Sequence, residues 1–164
     1  MKKEATFDSS FWVHAVYLNL VDFLLKDYEL VCPTGVEMEL GRDNPTSLQL
    51  KGLLEDNRVQ RAAPKLAKIR LYGDGERDAI NLALERKLIL LIDDWRPYEA
   101  AQAAGVEAIN SPVYLVRLYR QGGVTLEKVL GDLGKLARRG TIRPEWIQLA
   151  LKVVSEIQRE GKGS

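Results

Sequence analysis

Residues 88–92, Leu-Ile-Leu-Leu-Ile, are apolar without a break and run straight into Asp93-Asp94. A strand with one wet face alternates apolar and polar residues, so an uninterrupted run of this length fits a strand covered on both faces. Such a strand needs helices on either side, and the rest of the chain offers them. Further strand-like runs at 4–7, 29–32, 58–62 and 106–109 alternate with stretches of helical spacing. The run at 58–62 is the most polar of the set. This alternation predicts a layered α/β fold with a parallel sheet and right-handed crossovers.

The helical stretches carry their own punctuation. Phe11 to Lys26 has apolar residues at helical spacing and is expected to break near Leu18-Asn19. A short helix is expected over 36–40, and one from Thr46 to Asp56 follows the entry signal Asn44-Pro45. Asp74 reads as the N-cap of a helix from Gly75 to Arg86. Pro97 to Ala104 stops at Gly105, and Ser111-Pro112 opens a helix reaching Gln121. Thr125 to Arg138 and Pro144 to Arg159 complete a helical C-terminal part.

With 164 residues the chain is expected to form one domain over 1–160, with a frayed tail at 161–164. It has no apolar run long enough for a membrane span and no apolar core near its N-terminus that would serve as a signal peptide. The single Cys32 excludes an intrachain disulfide and suits a reduced compartment. The expected location is the cytoplasm, without a membrane partner. A net charge of +1 hides an asymmetry. Residues 117–164 hold ten basic against five acidic side chains, leaving 1–116 net acidic. That division suits a protein that holds a cation in one place and a polyanion nearby, although Arg and Lys also decorate solvated helix faces.

The acidic residues are placed suggestively. Asp8 follows the first strand, Glu39 lies in the helix after the second, Asp78 follows Gly75-Glu76 at a helix start, and Asp93-Asp94 ends the central strand. In open parallel sheets functional groups gather at the carboxyl ends of the strands. Carboxylates crowded there repel one another unless protonated or bridged by a cation, which makes a divalent-metal site the leading hypothesis. Each acid also has a plainer explanation. Asp8 suits an N-cap, Glu39 a solvated helix face, Glu76 and Asp78 a helix's first turn, and Asp93-Asp94 a wet turn. Glu76 and Asp78 are two apart and cannot share a helix face, and Asp78 is taken as the one facing the cleft.

Other chemistries lack their residues. The segment Tyr72-Gly73-Asp74-Gly75-Glu76 misses the lysine of a phosphate loop and the third glycine of a dinucleotide fingerprint. One histidine, His14, builds neither a zinc cluster nor a Ser-His-Asp triad, and it reads as an ordinary helix residue. Trp12, Trp95 and Trp146 read as packing anchors, with Trp95, directly after the acidic pair, the one best placed for function. An oxygen-only donor set without His or Cys suits Mg²⁺ or Mn²⁺.

Taken in order, four segments resemble the PIN-domain nucleases. They are Asp8-Ser9-Ser10, Pro33-Thr34-Gly35-Val36-Glu37-Met38-Glu39-Leu40, Gly75-Glu76-Arg77-Asp78-Ala79-Ile80 and Leu91-Ile92-Asp93-Asp94. The resemblance covers roughly residues 4–120. It implies a three-layer α/β/α sandwich with a central mostly parallel sheet of four to five strands, and a Mg²⁺- or Mn²⁺-dependent endoribonuclease. By motif position it makes Asp8, Glu39, Asp78 and Asp94 catalytic, with Asp8, Asp78 and Asp94 on the metal and Ser10, Glu76 and Asp93 supporting them. It implies RNA as substrate and, as in many relatives, the toxin role of a toxin–antitoxin pair with an antitoxin protein as partner. The expected RNA contacts are Arg96, Arg117, Arg120, Arg138 and Arg139; relatives often carry an Ala-Arg pair after the Asp-Asp where this chain has Trp95-Arg96-Pro97-Tyr98, so either Arg96 stands in for it or substrate handling differs. A homodimer through the apolar face Val113-Tyr114-Leu115-Val116 and Leu118-Tyr119 is also expected. The rival readings are a catalytically silent PIN-like module that binds nucleic acid or protein, and a Mg²⁺-dependent phosphohydrolase or receiver-like phosphoacceptor. The receiver lacks its partner lysine at a later strand end.

Overall fold

The computed structural model describes residues 2–41, 43–70 and 72–162, and in it the chain forms two compact units, 1–109 and 110–164. The first unit is built on five parallel strands: β1 (Lys3–Phe7), β2 (Tyr28–Pro33), β3 (Gln60–Ala62), β4 (Ile89–Leu91) and β5 (Ala108–Ile109). Their order across the sheet is β3-β2-β1-β4-β5. All five expected strands are present, including the polar one, which survives as three residues on the sheet edge. An edge strand has one wet side and tolerates polar residues that a central strand would not.

Among the described residues six helices connect the strands: α1 (Ser9–Tyr17), α2 (Val21–Asp27), α3 (Thr34–Glu39), α4 (Pro45–Glu55), α5 (Asp74–Arg86) and α6 (Trp95–Ala103). Right-handed crossovers put α1, α2 and α4 on one face of the sheet and α5 and α6 on the other, giving three layers, while the short α3 at the carboxyl end of β2 packs chiefly against α5. Strand alternation agrees. Leu90 and Ile92 pack with Ala79, Ile80 and Ala83 of α5 and Ala101 of α6, while Ile89 and Leu91 point to the opposite face. This explains why the 88–92 run has no polar residue: both of its faces are dry. The break expected near Leu18-Asn19 falls between α1 and α2, where Asn19 adopts φ +57°. Asn is one of the few residues that enters the left-handed region at little cost.

Asp74 corrects one expectation. It is the first residue of α5, and Gly73 is the N-cap. The free N–H of Gly73 is satisfied from within the helix, by Glu76 Oε2 at 3.0 Å.

The second unit comprises α7 (Ser111–Arg120), α8 (Leu126–Arg139) and α9 (Pro144–Lys162), each packed against the other two. Asn110 and Thr125 cap α7 and α8 through their side chains, and Gly140 ends α8 at φ +70°. Tyr114, Leu115 and Leu118 are buried, so of the apolar stretch expected to form a dimer face mainly Val113 is well exposed. Helix α9 continues through Gly161 to Lys162, and the last two residues of the expected frayed tail lie outside the described residues. Among the described residues no helix is long and apolar enough to cross a membrane.

Candidate metal centre

Strands β1 and β4 are neighbours, yet the chain leaves β1 toward β2 on one side and leaves β4 toward β5 on the other. The carboxyl ends of such a pair diverge and open a crevice, the place where open α/β sheets put their ligands. Asp8 emerges from β1 there, and Asp93 and Asp94 follow β4. The N–H of Asp8 extends the ladder by bonding Leu91 O at 3.1 Å.

Asp8 performs both roles open to it in the sequence. Its Oδ1 accepts the Phe11 N–H at 2.8 Å and so caps α1. Its Oδ2 accepts a hydrogen bond from Ser10 Oγ, also at 2.8 Å. The residue is fully buried. Burial first, then the neighbouring Asp93 charge, hold its carboxyl well above the usual carboxylate range; the Phe11 and Ser10 hydrogen bonds oppose this and Asp94 adds to it.

Asp8, Glu76 and Asp94 form the cluster. One carboxylate oxygen from each lies within 4.8 Å of the other two. Glu76 shares a hydrogen bond with the Asp94 carboxyl, and this bond, together with burial and the Asp94 charge, pushes Glu76 up to about 7. Three carboxylate oxygens this close together, with no nitrogen or sulfur ligand among them, are a donor set that a hard divalent cation would take.

Sequence position alone assigned Glu76 and Asp78 the other way round. Two residues apart on a helix, they diverge, and the neighbours decide which one turns inward. The Gly73 N–H draws Glu76 back over the helix start. Asp78 Oδ2 instead accepts the Gly35 N–H at 3.1 Å, and its Oδ1 lies 3.9 Å from Arg77 Nε. Asp78 therefore ties α5 to α3 and stands outside the cluster.

Glu39 sits beside the cluster, with both oxygens occupied. Oε2 accepts from Ser9 Oγ at 2.9 Å and Oε1 from the Gly75 N–H. It links α3 to the starts of α1 and α5. A Cβ on Gly75 would fall 2.6 Å from Glu39 Oε2 and 2.9 Å from Ser9 Oγ, so a larger residue there would push these two side chains out of their present hydrogen bond.

Asp93 is buried and paired with His14 Nδ1 at 2.6 Å, both side chains being almost inaccessible. His14 is the functional neighbour that its sequence position alone did not suggest. A signal was present: Phe11, His14, Ala15 and Leu18 fall at i, i+3, i+4 and i+7, so the histidine lies on the inward face of α1. A buried imidazole on that face needs a partner, and Asp93 supplies it.

The arginines have varied settings. Arg96 is exposed, with Cζ 5.4 Å from the centroid of the Trp95 ring, a cation–π distance. Arg117 and Arg120 end α7, and Arg138 and Arg139 end α8. These four side chains complement the negative ends of their helices, which is a sufficient structural reason for them.

No protein-family model and no curated protein matches the sequence. Among solved structures the chain is similar to a PilT N-terminus domain protein from the hyperthermophilic archaeon Sulfolobus solfataricus. The two share 23% identity over 65% of this chain and 85% of the other, with a TM-score of 0.45.

Proposed function

We propose that this protein is a PIN-type nuclease that hydrolyses phosphodiester bonds in RNA at a Mg²⁺- or Mn²⁺-loaded site formed by Asp8, Glu76 and Asp94. The observation that carries the reading is the convergence of these three carboxylates in the crevice between β1 and β4, and the raised Glu76 carboxyl agrees with that crowding. The ordered resemblance of four sequence segments to PIN-domain nucleases supports it independently. When bound, a divalent cation supplies a water of lowered pKa and neutralises charge developing on phosphate. The chain's own residues prepare for that. Ser10 and the Phe11 N–H fix both oxygens of Asp8, His14 fixes Asp93, and Glu39 braces the start of α5 where Glu76 originates. No side-chain nucleophile is required.

The proposal includes the partners implied by the same resemblance: an antitoxin protein and a second copy of the chain, in the cytoplasm. A short reading frame with a DNA-binding pattern beside the gene, and a dimer mass by light scattering, would support these two.

The test is cleavage of a labelled single-stranded RNA with Mn²⁺, with Mg²⁺, and with EDTA. Cleavage should require metal and fall at least about 100-fold in Asp94→Asn and Glu76→Gln, as expected when a site loses a metal-holding group. Cleavage that survives EDTA, or survives both substitutions, would remove the assignment. RNA binding without metal-dependent cleavage would favour the silent binding module.

A further inference from the structure

Residues 58–73 contain five basic side chains, Arg58, Arg61, Lys65, Lys68 and Arg70, and no acidic one, although the chain through residue 116 is net acidic. Arg61 is engaged by Glu37. Lys65, Lys68 and Arg70 are exposed, and among the described residues no carboxylate pairs with them. Their segment walls an open cavity of about 480 Å³ whose lining includes Pro64, Lys65, Arg70, Arg77, Asp78 and Asn81. Arg77 is held by Asp74 and Asp78, so the uncompensated charge belongs to the segment.

The segment is anchored at several points. Asn81, buried on α5, donates Nδ2–H to Ile69 O and accepts the Ile69 N–H at Oδ1, both at 2.9 Å. A buried amide that spends both arms on one backbone position acts as a short strand pairing and fixes that position. Glu85 adds a second anchor by accepting the Lys65 N–H at 2.8 Å, and Arg70 Nε bonds Ala67 O at 3.4 Å. Its two ends also place it. It leaves the carboxyl end of β3 at Ala62 and leads to Gly73, whose N–H is bonded by Glu76. Arg77, on the cavity wall, directly follows Glu76. The basic cleft and the carboxylate cluster thus lie at the same end of the sheet, the carboxyl ends of its strands, and both draw residues from the start of α5.

We propose that this cleft is a subsite for backbone phosphates of the nucleic-acid strand that is cut at Asp8, Glu76 and Asp94; it rests on the nuclease reading above. Cations beside an acidic centre resolve a conflict that the centre creates. The cluster repels the polyanion it must cut, and flanking phosphates need a positive surface to hold the strand in place. Lys65 supplies a point charge on the cavity lining and Arg70 a guanidinium able to engage two phosphate oxygens, with Lys68 an exposed cation of the same segment outside the lining.

The experiment uses the full chain in EDTA, so that nothing is cut, and a fluorescein-labelled single-stranded RNA of about twelve nucleotides. Binding is followed by anisotropy across a salt series for the wild type and for Lys65→Ala/Lys68→Ala/Arg70→Ala. The substituted side chains are exposed, and an unchanged circular-dichroism melt would show that the fold is kept. Affinity should fall at least 10-fold at low salt. The slope of log K against log salt should lessen by about 0.7 for each phosphate no longer neutralised, or about 2 if all three residues engage phosphate. Wild-type affinity and slope in the variant would overturn the cleft while leaving the nuclease reading intact. A wild-type protein that binds no RNA would overturn both. Displacement of the RNA by inorganic phosphate at matched ionic strength would mark a free-anion site and would also overturn the subsite.

Discussion

The raised Glu76 carboxyl makes the stability of the metal-free protein depend on pH in the direction opposite to that set by an ordinary paired carboxylate. Glu76 has an ordinary value of 4.5 when unfolded and about 7 when folded. Between those values the folded state binds the proton more tightly than the unfolded state, so stability falls as pH rises. The contribution is fully present below 4.5 and is lost as pH passes through about 7. A shift of this size corresponds at most to about 3.4 kcal/mol, and solvent screening of a half-buried side chain lowers this to roughly 2 kcal/mol. For a chain of this length each kcal/mol moves the melting temperature by about 2–4 °C, so the expected effect is about 4–8 °C. The perturbation is Glu76→Gln, which keeps the shape and removes the titration. Melting would be followed by circular dichroism in EDTA at about pH 5 and about pH 8 for both proteins, on either side of the folded-state value. The wild type should lose about 4–8 °C more than the variant at the higher pH. Asp8 is also raised by burial, but it is present in both proteins and largely cancels in the difference. Equal pH dependence in the two proteins would refute the raised Glu76 carboxyl, and with it the crowding from which the metal site is argued.

Two further outcomes follow from buried groups. His14→Leu removes the imidazole from the buried Asp93 carboxylate and should cost about 3–5 kcal/mol, while His14→Leu/Asp93→Leu should recover much of the loss; melting temperatures of the three proteins decide this, and an unaffected single variant would show the pair to be dispensable. Burial pushes the Cys32 thiol up to about 12, so the folded protein in mildly alkaline buffer should react with iodoacetamide far more slowly than protein unfolded in urea, measured by mass spectrometry; equal rates would place the thiol at the surface.

Much of this protein is legible in its sequence because its signals are local. An unbroken apolar run of five residues suits a strand dry on both faces, and Leu90 and Ile92 against α5, with Ile89 and Leu91 on the other side, are that strand. Asp8, Asp93 and Asp94 end their strands, and strand ends are fixed along the chain. Helix entries at Asn44-Pro45 and Asn110-Ser111-Pro112 carry their own caps.

What the sequence left undecided depends on neighbours brought from elsewhere in the chain. Glu76 and Asp78 are equivalent by propensity and by their place near a helix start. The Gly35 N–H, forty-three residues away, takes Asp78, and the Asp94 carboxyl, eighteen residues away, takes Glu76. Likewise His14 is one inward residue of α1 until the chain returns, seventy-nine residues later, with the carboxylate that pairs with it. The basic run at 58–70 is only a charged stretch until Asn81 pins it against α5. Periodicity fixes which face a side chain belongs to. Which partner it meets on that face is set by the order of strands in the sheet, and that order is a property of the tertiary structure alone.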